Sequence, residues 1–213
     1  MTSTASDARF WDRASAKYAR SVIKDEAGYE RTLARTAALM KPADKVLELG
    51  CGTGTTALRL ASHVEHYLAT DISPGMIAIA ERKREAEPVP SLAFRTATAE
   101  TLAGEGARFD AVLGFNYLHL IRDLPATLRA IHGLLEPGGL FISKTACLGD
   151  MNPLIRLVLL PVMRVFGLAP TVGVFDAVEL ERHIREAGFE IVAREGHASK
   201  GKDTRPFIVA RKK

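Results

Sequence analysis

Cysteine is scarce in this chain, with Cys51 and Cys147 the two thiols among 213 residues. Two cysteines supply neither a disulfide framework nor zinc-ligand spacing, so no metal centre is expected, and both read as small buried side chains rather than nucleophiles. An apolar leader is missing too: residues 1–12 lack the hydrophobic core of a signal peptide, and the expected location is cytoplasmic. No internal repeat or low-complexity tract interrupts the sequence. The apolar run at 154–166 is too short to span a bilayer and is broken by Pro161. Charge of one sign is not in large excess. The net +4 owes much to the tail Arg211-Lys212-Lys213, so charge alone selects no class of partner.

What is abundant is apolar residue, 47% of the chain, enough for one sizeable core with little room for a second domain. Residues 1–213 are therefore expected to form one α/β domain. Two helices, 7–21 and 25–40, precede the first strand, and Pro42 marks the turn between them and Val46. Alternation follows: helix 55–63, strand 66–71, helix 74–85, strands 92–96 and 111–115, helix 124–134 and strand 140–145. Strands alternating with helices imply a parallel sheet. Asp176 and Glu179 form a capping-box pattern opening a helix to Ala187, with Gly188 as its stop. The last apolar runs, 189–194 and 206–211, suit a hairpin.

The run Val46-Leu47-Glu48-Leu49-Gly50-Cys51-Gly52-Thr53-Gly54 reads as a buried strand that ends in an acid and enters three closely spaced glycines. Such a loop turns sharply and lets backbone approach a ligand, and the helix after it aims free N–H groups at the same place. Dinucleotide enzymes use Gly-x-Gly-x-x-Gly, whereas here the third glycine comes one position early, which favours another nucleotide. A second strand then ends at Asp71, a carboxylate placed for a ribose diol.

With Asp71-Ile72-Ser73-Pro74-Gly75-Met76, Phe109-Asp110-Ala111-Val112-Leu113 and Leu134-Leu135-Glu136-Pro137-Gly138-Gly139, the chain resembles the class I S-adenosylmethionine-dependent methyltransferases of small-molecule type, over roughly residues 45–144 plus a C-terminal helix and hairpin. The resemblance implies a Rossmann-like, doubly wound seven-stranded sheet of order 3-2-1-4-5-7-6, its last strand antiparallel, with helices on both faces. It also implies a division into an N-terminal helical lid (1–42), a cofactor-binding core (43–145), an apolar substrate-lid insertion (146–175) and a C-terminal helix and hairpin (176–213). The implied cofactor is S-adenosylmethionine, with S-adenosylhomocysteine as product.

By the same resemblance, Gly50, Cys51 and Gly52 line the methionine end with Glu48 supporting the loop, Asp71 accepts from both ribose hydroxyls, and Ile72 and Met76 flank the adenine. Thr98 and Ala99 stand where the family often has Asp-Ala against the adenine amine and ring. Thr98 departs from that pattern, and a hydroxyl accepts more weakly than a carboxylate. Glu100 reads equally as a ligand or as a helix-capping acid. Phe115, Asn116 and His119 fall at the end of the fourth strand, where this fold brings methyl donor to acceptor, and the resemblance implies Phe115 as a further cofactor contact. Asn116 is a candidate to orient a polar substrate and His119 to remove its proton, with a packed structural imidazole as the alternative for His119. The absence of an Asn-Pro-Pro-Tyr signature or an RNA-binding module argues against nucleic acid.

Two flanking segments are candidate lids. In the first, Phe10, Ala14, Tyr18 and Val22 recur every four residues beside a basic stripe of Arg9, Arg13, Lys17, Arg20 and Lys24. It reads as a basic amphipathic helix. Its Phe10-Trp11-Asp12 and Tyr18-Ala19 are similar to a pattern in related small-molecule methyltransferases, and that resemblance implies an arm that closes over the cofactor with Tyr18 toward the methionine end; the alternatives are a helix that meets an anionic substrate or one that contacts a membrane surface. The second, 154–166, covers an apolar acceptor or forms a homodimer interface. The expected activity is methyl transfer to a small, partly apolar molecule, with a lipid-like quinone precursor, or a non-catalytic cofactor-binding role, as alternatives.

Overall fold

The computed structural model describes residues 4–150, 172–201 and 203–213; the apolar run at 154–166 and its Pro161 break lie outside them. Strands β1 (Lys45–Leu49), β2 (His66–Asp71), β3 (Leu92–Thr96), β4 (Phe109–Phe115), β5 (Leu135–Lys144), β6 (Phe189–Glu195) and β7 (Phe207–Lys212) form one seven-stranded sheet of order β3-β2-β1-β4-β5-β7-β6. The first five run parallel, and β7 lies antiparallel between β5 and β6. This is the implied order, including the inserted antiparallel strand.

Side-chain alternation splits the core between the two faces of the sheet. Leu47, Val112, Phe141 and Ile208 point to one side and pack with Leu102, Leu128, Ile131, Leu180 and Ile184, from helices α5 (Ala99–Gly104), α6 (Leu124–Leu134) and α7 (Ala177–Glu186). Val46, Leu113, Ile142 and Val209 point to the other and meet Leu33, Ala57 and Leu60, from α2 (Glu26–Ala37) and α3 (Thr55–Leu60). Central strands buried on both faces account for their near-continuous apolar sequences.

The helix starts follow local capping chemistry. Ser73 accepts from Met76 N ahead of α4 (Pro74–Ala86), Asp123 accepts from Ala126 N ahead of α6, and Asp176 and Glu179 make both bonds of a capping box at α7. Several expectations change: helix 25–40 ends at Ala37 and strand 111–115 begins at Phe109. Helix 55–63 is α-helical to Leu60 and then tightens into a 3-10 turn, Ala61–His63. Helix α1 spans Thr4–Tyr18, so its start precedes residue 7 and Val22 lies beyond its end, 84% exposed. The residue it buries is Ser15, so the inward face is set by polar docking rather than by the four-residue apolar stripe. Strand β5 begins at Leu135, which pairs with Phe109 before the register shifts and Leu140 meets Ala111; the exposed Glu136-Pro137-Gly138 segment accounts for the shift.

Candidate active site

At the C-terminal edge of the sheet the glycine loop lies between β1 and α3. Gly50 has φ +67°, and a Cβ there would come within 2.6 Å of the Tyr117 ring, so both the turn and the packing require glycine. At Gly52, φ is +55° and an added Cβ would meet Tyr18 Cε1 alone, at 3.4 Å, leaving a cradle beside the loop backbone. Asp71 closes this turn: Gly52 N donates to one carboxylate oxygen at 3.0 Å and Ser73 N to the other at 2.9 Å. Burial raises the Asp71 pKa, and these backbone donors work against that rise.

Glu48 sits beneath the loop, fully buried, where it accepts the Tyr67 hydroxyl at 2.8 Å. Burial lifts its carboxyl to about 7, opposed by that hydrogen bond and aided by the nearby Asp71 charge. Cys51 is buried as well, its thiol pushed far up by burial, and it is no nucleophile at neutral pH.

A cavity of about 250 Å³ opens over this loop. Of the residues expected to hold the cofactor, Tyr18, Gly50, Gly52, Asp71, Ile72, Met76, Thr98, Glu100 and Phe115 all line it. Glu48 and Ala99 do not; both are buried behind the wall. Cys51 faces a second cavity instead. Thr98 caps α5, accepting from Thr101 N at 3.2 Å, and Glu100 accepts the Thr127 hydroxyl, so both have structural partners besides their place on the cavity wall.

Helix α1 forms the outer wall of this cavity through Thr4, Asp7, Trp11 and Tyr18. It is fastened at two points. Asp12 accepts from the Ser73 hydroxyl at 2.6 Å and Gly75 N at 2.9 Å, and Asp7 accepts from Nε and Nη2 of Arg122, each at 2.7 Å. Trp11, Asp12, Arg122 and Tyr117 were not among the expected site residues. Phe10-Trp11-Asp12 stands in the sequence as a motif, but the partners that fasten Asp12 lie 61 and 63 residues away, and the partner of Asp7 lies 115 residues away.

Phe115, Asn116 and Tyr18 also line the second cavity, of about 720 Å³, so the two spaces share a wall at the end of β4. Asn116 holds a left-handed φ of +51° while its N–H donates to Lys144 O at 2.8 Å. Asparagine tolerates that strain better than most residues, and Asn116 lines both cavities where they adjoin. His119 lines neither of these cavities. Its Nδ1 lies 2.9 Å from Thr145 Oγ1, and burial, reinforced by the Arg205 charge, lowers the imidazole to about 4. That environment suits the packed imidazole better than the proton acceptor.

The family model described as a methyltransferase domain matches residues 46–139. The ubiquinone biosynthesis O-methyltransferase of Methylocella silvestris is 37% identical over 101 residues, 47% of this chain and 39% of that protein. The mitochondrial arginine-hydroxylase NDUFAF5 of Danio rerio is 31% identical over 181 residues, 84% of this chain and 54% of that protein. The chain thus spans about two fifths of the length of the ubiquinone relatives it matches. Among solved structures, the magnesium protoporphyrin IX methyltransferase of Synechocystis PCC 6803 with bound S-adenosylhomocysteine superposes with a TM-score of 0.68 at 18% identity, over 99% of this chain and 95% of that one. The [4+2]-cyclase SpnF superposes with the same score at 20% identity, over 85% and 80%.

Proposed function

The chain belongs to the class I S-adenosylmethionine-dependent methyltransferases, and from that premise we propose that it transfers the methyl group to a small, partly apolar acceptor. One observation carries the proposal: the cavity over Asp71 and the larger cavity beside it meet at Tyr18, Phe115 and Asn116. One space suits the donor and the other the acceptor, with the transfer point between them.

The residues of the first cavity fit the cofactor chemically. Asp71 has lone pairs left for two ribose hydroxyls after serving Gly52 and Ser73. Ile72 and Met76 offer an apolar slot for a planar base, and the Gly52 cradle admits a polar chain end against the backbone. Bound there, S-adenosylmethionine supplies an activated methyl carbon on a sulfonium, which departs as the neutral thioether of S-adenosylhomocysteine. The protein's part is proximity and exclusion of water. Helix α1 covers the site, Asn116 orients the acceptor, and the acceptor proton passes to solvent, because His119 is too weakly basic near neutrality to hold it.

Similarity to the ubiquinone O-methyltransferases supports oxygen as the accepting atom and a quinone precursor as one acceptor class. The Danio rerio relative, matched over most of this chain, favours a second reading in which the same pocket serves hydroxylation, with dioxygen as the oxidant and a two-electron reductant to take the second oxygen atom to water, both supplied from outside the chain. Incubation with S-adenosylmethionine and a fractionated metabolite extract separates them. The proposal expects S-adenosylhomocysteine to appear in step with a product heavier by one methylene unit. A product heavier by one oxygen, or cofactor binding with no turnover on any fraction, would contradict it.

A further inference from the structure

We infer that the second cavity is an acceptor site built for an organic acid, with Lys144 and Arg205 as the seat for its carboxylate. The inference rests on the methyl-transfer reading and adds a substrate class to it.

Lys144 ends β5 and pairs with Phe207 at the start of β7, and Arg205 lies two residues before that start, so antiparallel pairing of these strands brings both to one rim. Both line the second cavity and neither lines the first. Lys144 is half-buried, and its Nζ donates to Thr32 Oγ1 at 2.9 Å. Thr32 is itself held, donating to Gly28 O at 2.8 Å with His197 Nδ1 at 3.0 Å. The ammonium is therefore positioned without being neutralised. Among the described residues neither Lys144 nor Arg205 makes a salt bridge.

The two carboxylates on the cavity wall are already engaged. Asp203 accepts from the backbone N–H groups of His197, Ala198 and Arg205, and Asp25 from those of Gly28 and Ser199 and from the Ser199 hydroxyl. Burial lowers the Lys144 pKa, Asp203 and Asp25 oppose the drop, and Arg205 and Arg31 deepen it. A cation partly stripped of water beside a second cation gains from an added anion. Leu33, Phe115 and the exposed Val22 and Ile23 supply apolar surface on the same cavity, suited to the body of such an acid.

S-adenosylmethionine also carries a carboxylate, so the test must separate the two sources. Benzoate, 4-hydroxybenzoate and hexanoate, each paired with its amide, are titrated by NMR into the full chain with and without saturating S-adenosylhomocysteine. The titrations are repeated on Lys144→Met, Arg205→Gln and the double variant. At least one acid should bind the parent about tenfold or more tightly than its amide, as expected for charge-assisted hydrogen bonds. The double variant should lose that preference while binding S-adenosylhomocysteine as the parent does. Equal binding of acids and amides to the parent, no binding of any acid, or a preference that survives in the double variant would overturn the inference. A double variant that keeps the parent's fold by circular dichroism but loses S-adenosylhomocysteine would also overturn it, assigning the cations to the cofactor. Failure of S-adenosylhomocysteine to bind the parent at all would instead contradict the methyltransferase reading.

Discussion

The Asp12 carboxylate accepts a hydrogen bond from the Ser73 hydroxyl at 2.6 Å, tying helix α1 to the turn that orients Asp71. Ser73 is central to that turn: its N–H donates to Asp71 Oδ1, and its Oγ accepts from Met76 N at the start of α4. The helix covering the cavity and the acid inside it are thus two hydrogen bonds apart, with Ser73 as the link between them.

Breaking this tie should loosen the cover before the fold. Asp12→Ala removes two hydrogen bonds at a site open to solvent, worth about 1–2 kcal/mol together. Hydrogen exchange of residues 4–18 should accelerate in this variant while β1, β4 and β5 keep their protection. The Asp12 pKa is lowered by Ser73 first and Gly75 second. Its contribution is therefore present above the usual carboxylate range and is lost as pH falls through the depressed folded value. Uniform acceleration across the sheet would show that Asp12 acts on global stability instead.

Trp11 is the single tryptophan and lines the first cavity. It makes edge contacts with Phe10 and Tyr18, at centroid distances of 5.2 and 6.1 Å. Saturation with S-adenosylhomocysteine should change its fluorescence intensity or emission maximum with the same midpoint as a calorimetric titration, and NAD should do neither. A silent Trp11 during demonstrable binding would remove α1 from the cofactor wall.

Buried Glu48 gives a pH signature of definite sign. Its carboxyl titrates near 4.5 when unfolded and about 7 when folded, so the native state binds the extra proton between those values. Its stabilising effect is complete below pH 4.5 and fades as pH rises through 7, by up to about 3 kcal/mol. Glu48→Gln, which keeps an acceptor for Tyr67, should flatten that part of the stability profile in urea titrations. The same slope in variant and parent would place the titrating group elsewhere.

Much of this architecture was legible because the signals were local. The strand-glycine run at Val46–Gly54, Asp71 at the end of β2, and the Asp176/Glu179 capping box each carry their geometry within a few residues. The sheet order came by resemblance, since periodicity does not encode which strands adjoin. The docking of α1 was not legible: Asp12 faces inward because its hydrogen-bonding partners Ser73 and Gly75 are distant in sequence, and Ser15, whose hydroxyl donates to Asp12 O on the same helix, is buried with it, while the regular Phe10, Ala14, Tyr18, Val22 spacing suggested an apolar face. Helix α5 is six residues long, too short for a periodic signal, and its Thr98 cap lay within a stretch read for its resemblance to adenine contacts. The settings of Asn116 and His119 depend on Lys144 at the end of β5 and on Thr145 just after it, contacts no local pattern predicts.

His119 should behave as a neutral structural imidazole. Its folded pKa of about 4 lies below the unfolded 6.5, so its contribution to stability is present above 6.5 and is lost as pH falls toward 4. Ring NMR signals should show no protonation between pH 6 and 8, within the ordinary histidine range. Once an acceptor is known, His119→Asn should leave the neutral limb of the rate profile in place. An imidazole that titrates near 6.5 together with activity would restore it as a base.

The most direct measurement is a calorimetric titration of S-adenosylhomocysteine into the parent, Asp71→Ala and Asp71→Asn. Loss of charge-assisted bonds worth roughly 1.5–3 kcal/mol should weaken binding about ten- to a hundredfold in the alanine variant. Asp71→Asn, which retains one acceptor oxygen, should fall between it and the parent. Unchanged affinity in a folded Asp71→Ala, confirmed by circular dichroism, would contradict the assignment of this cavity to the cofactor.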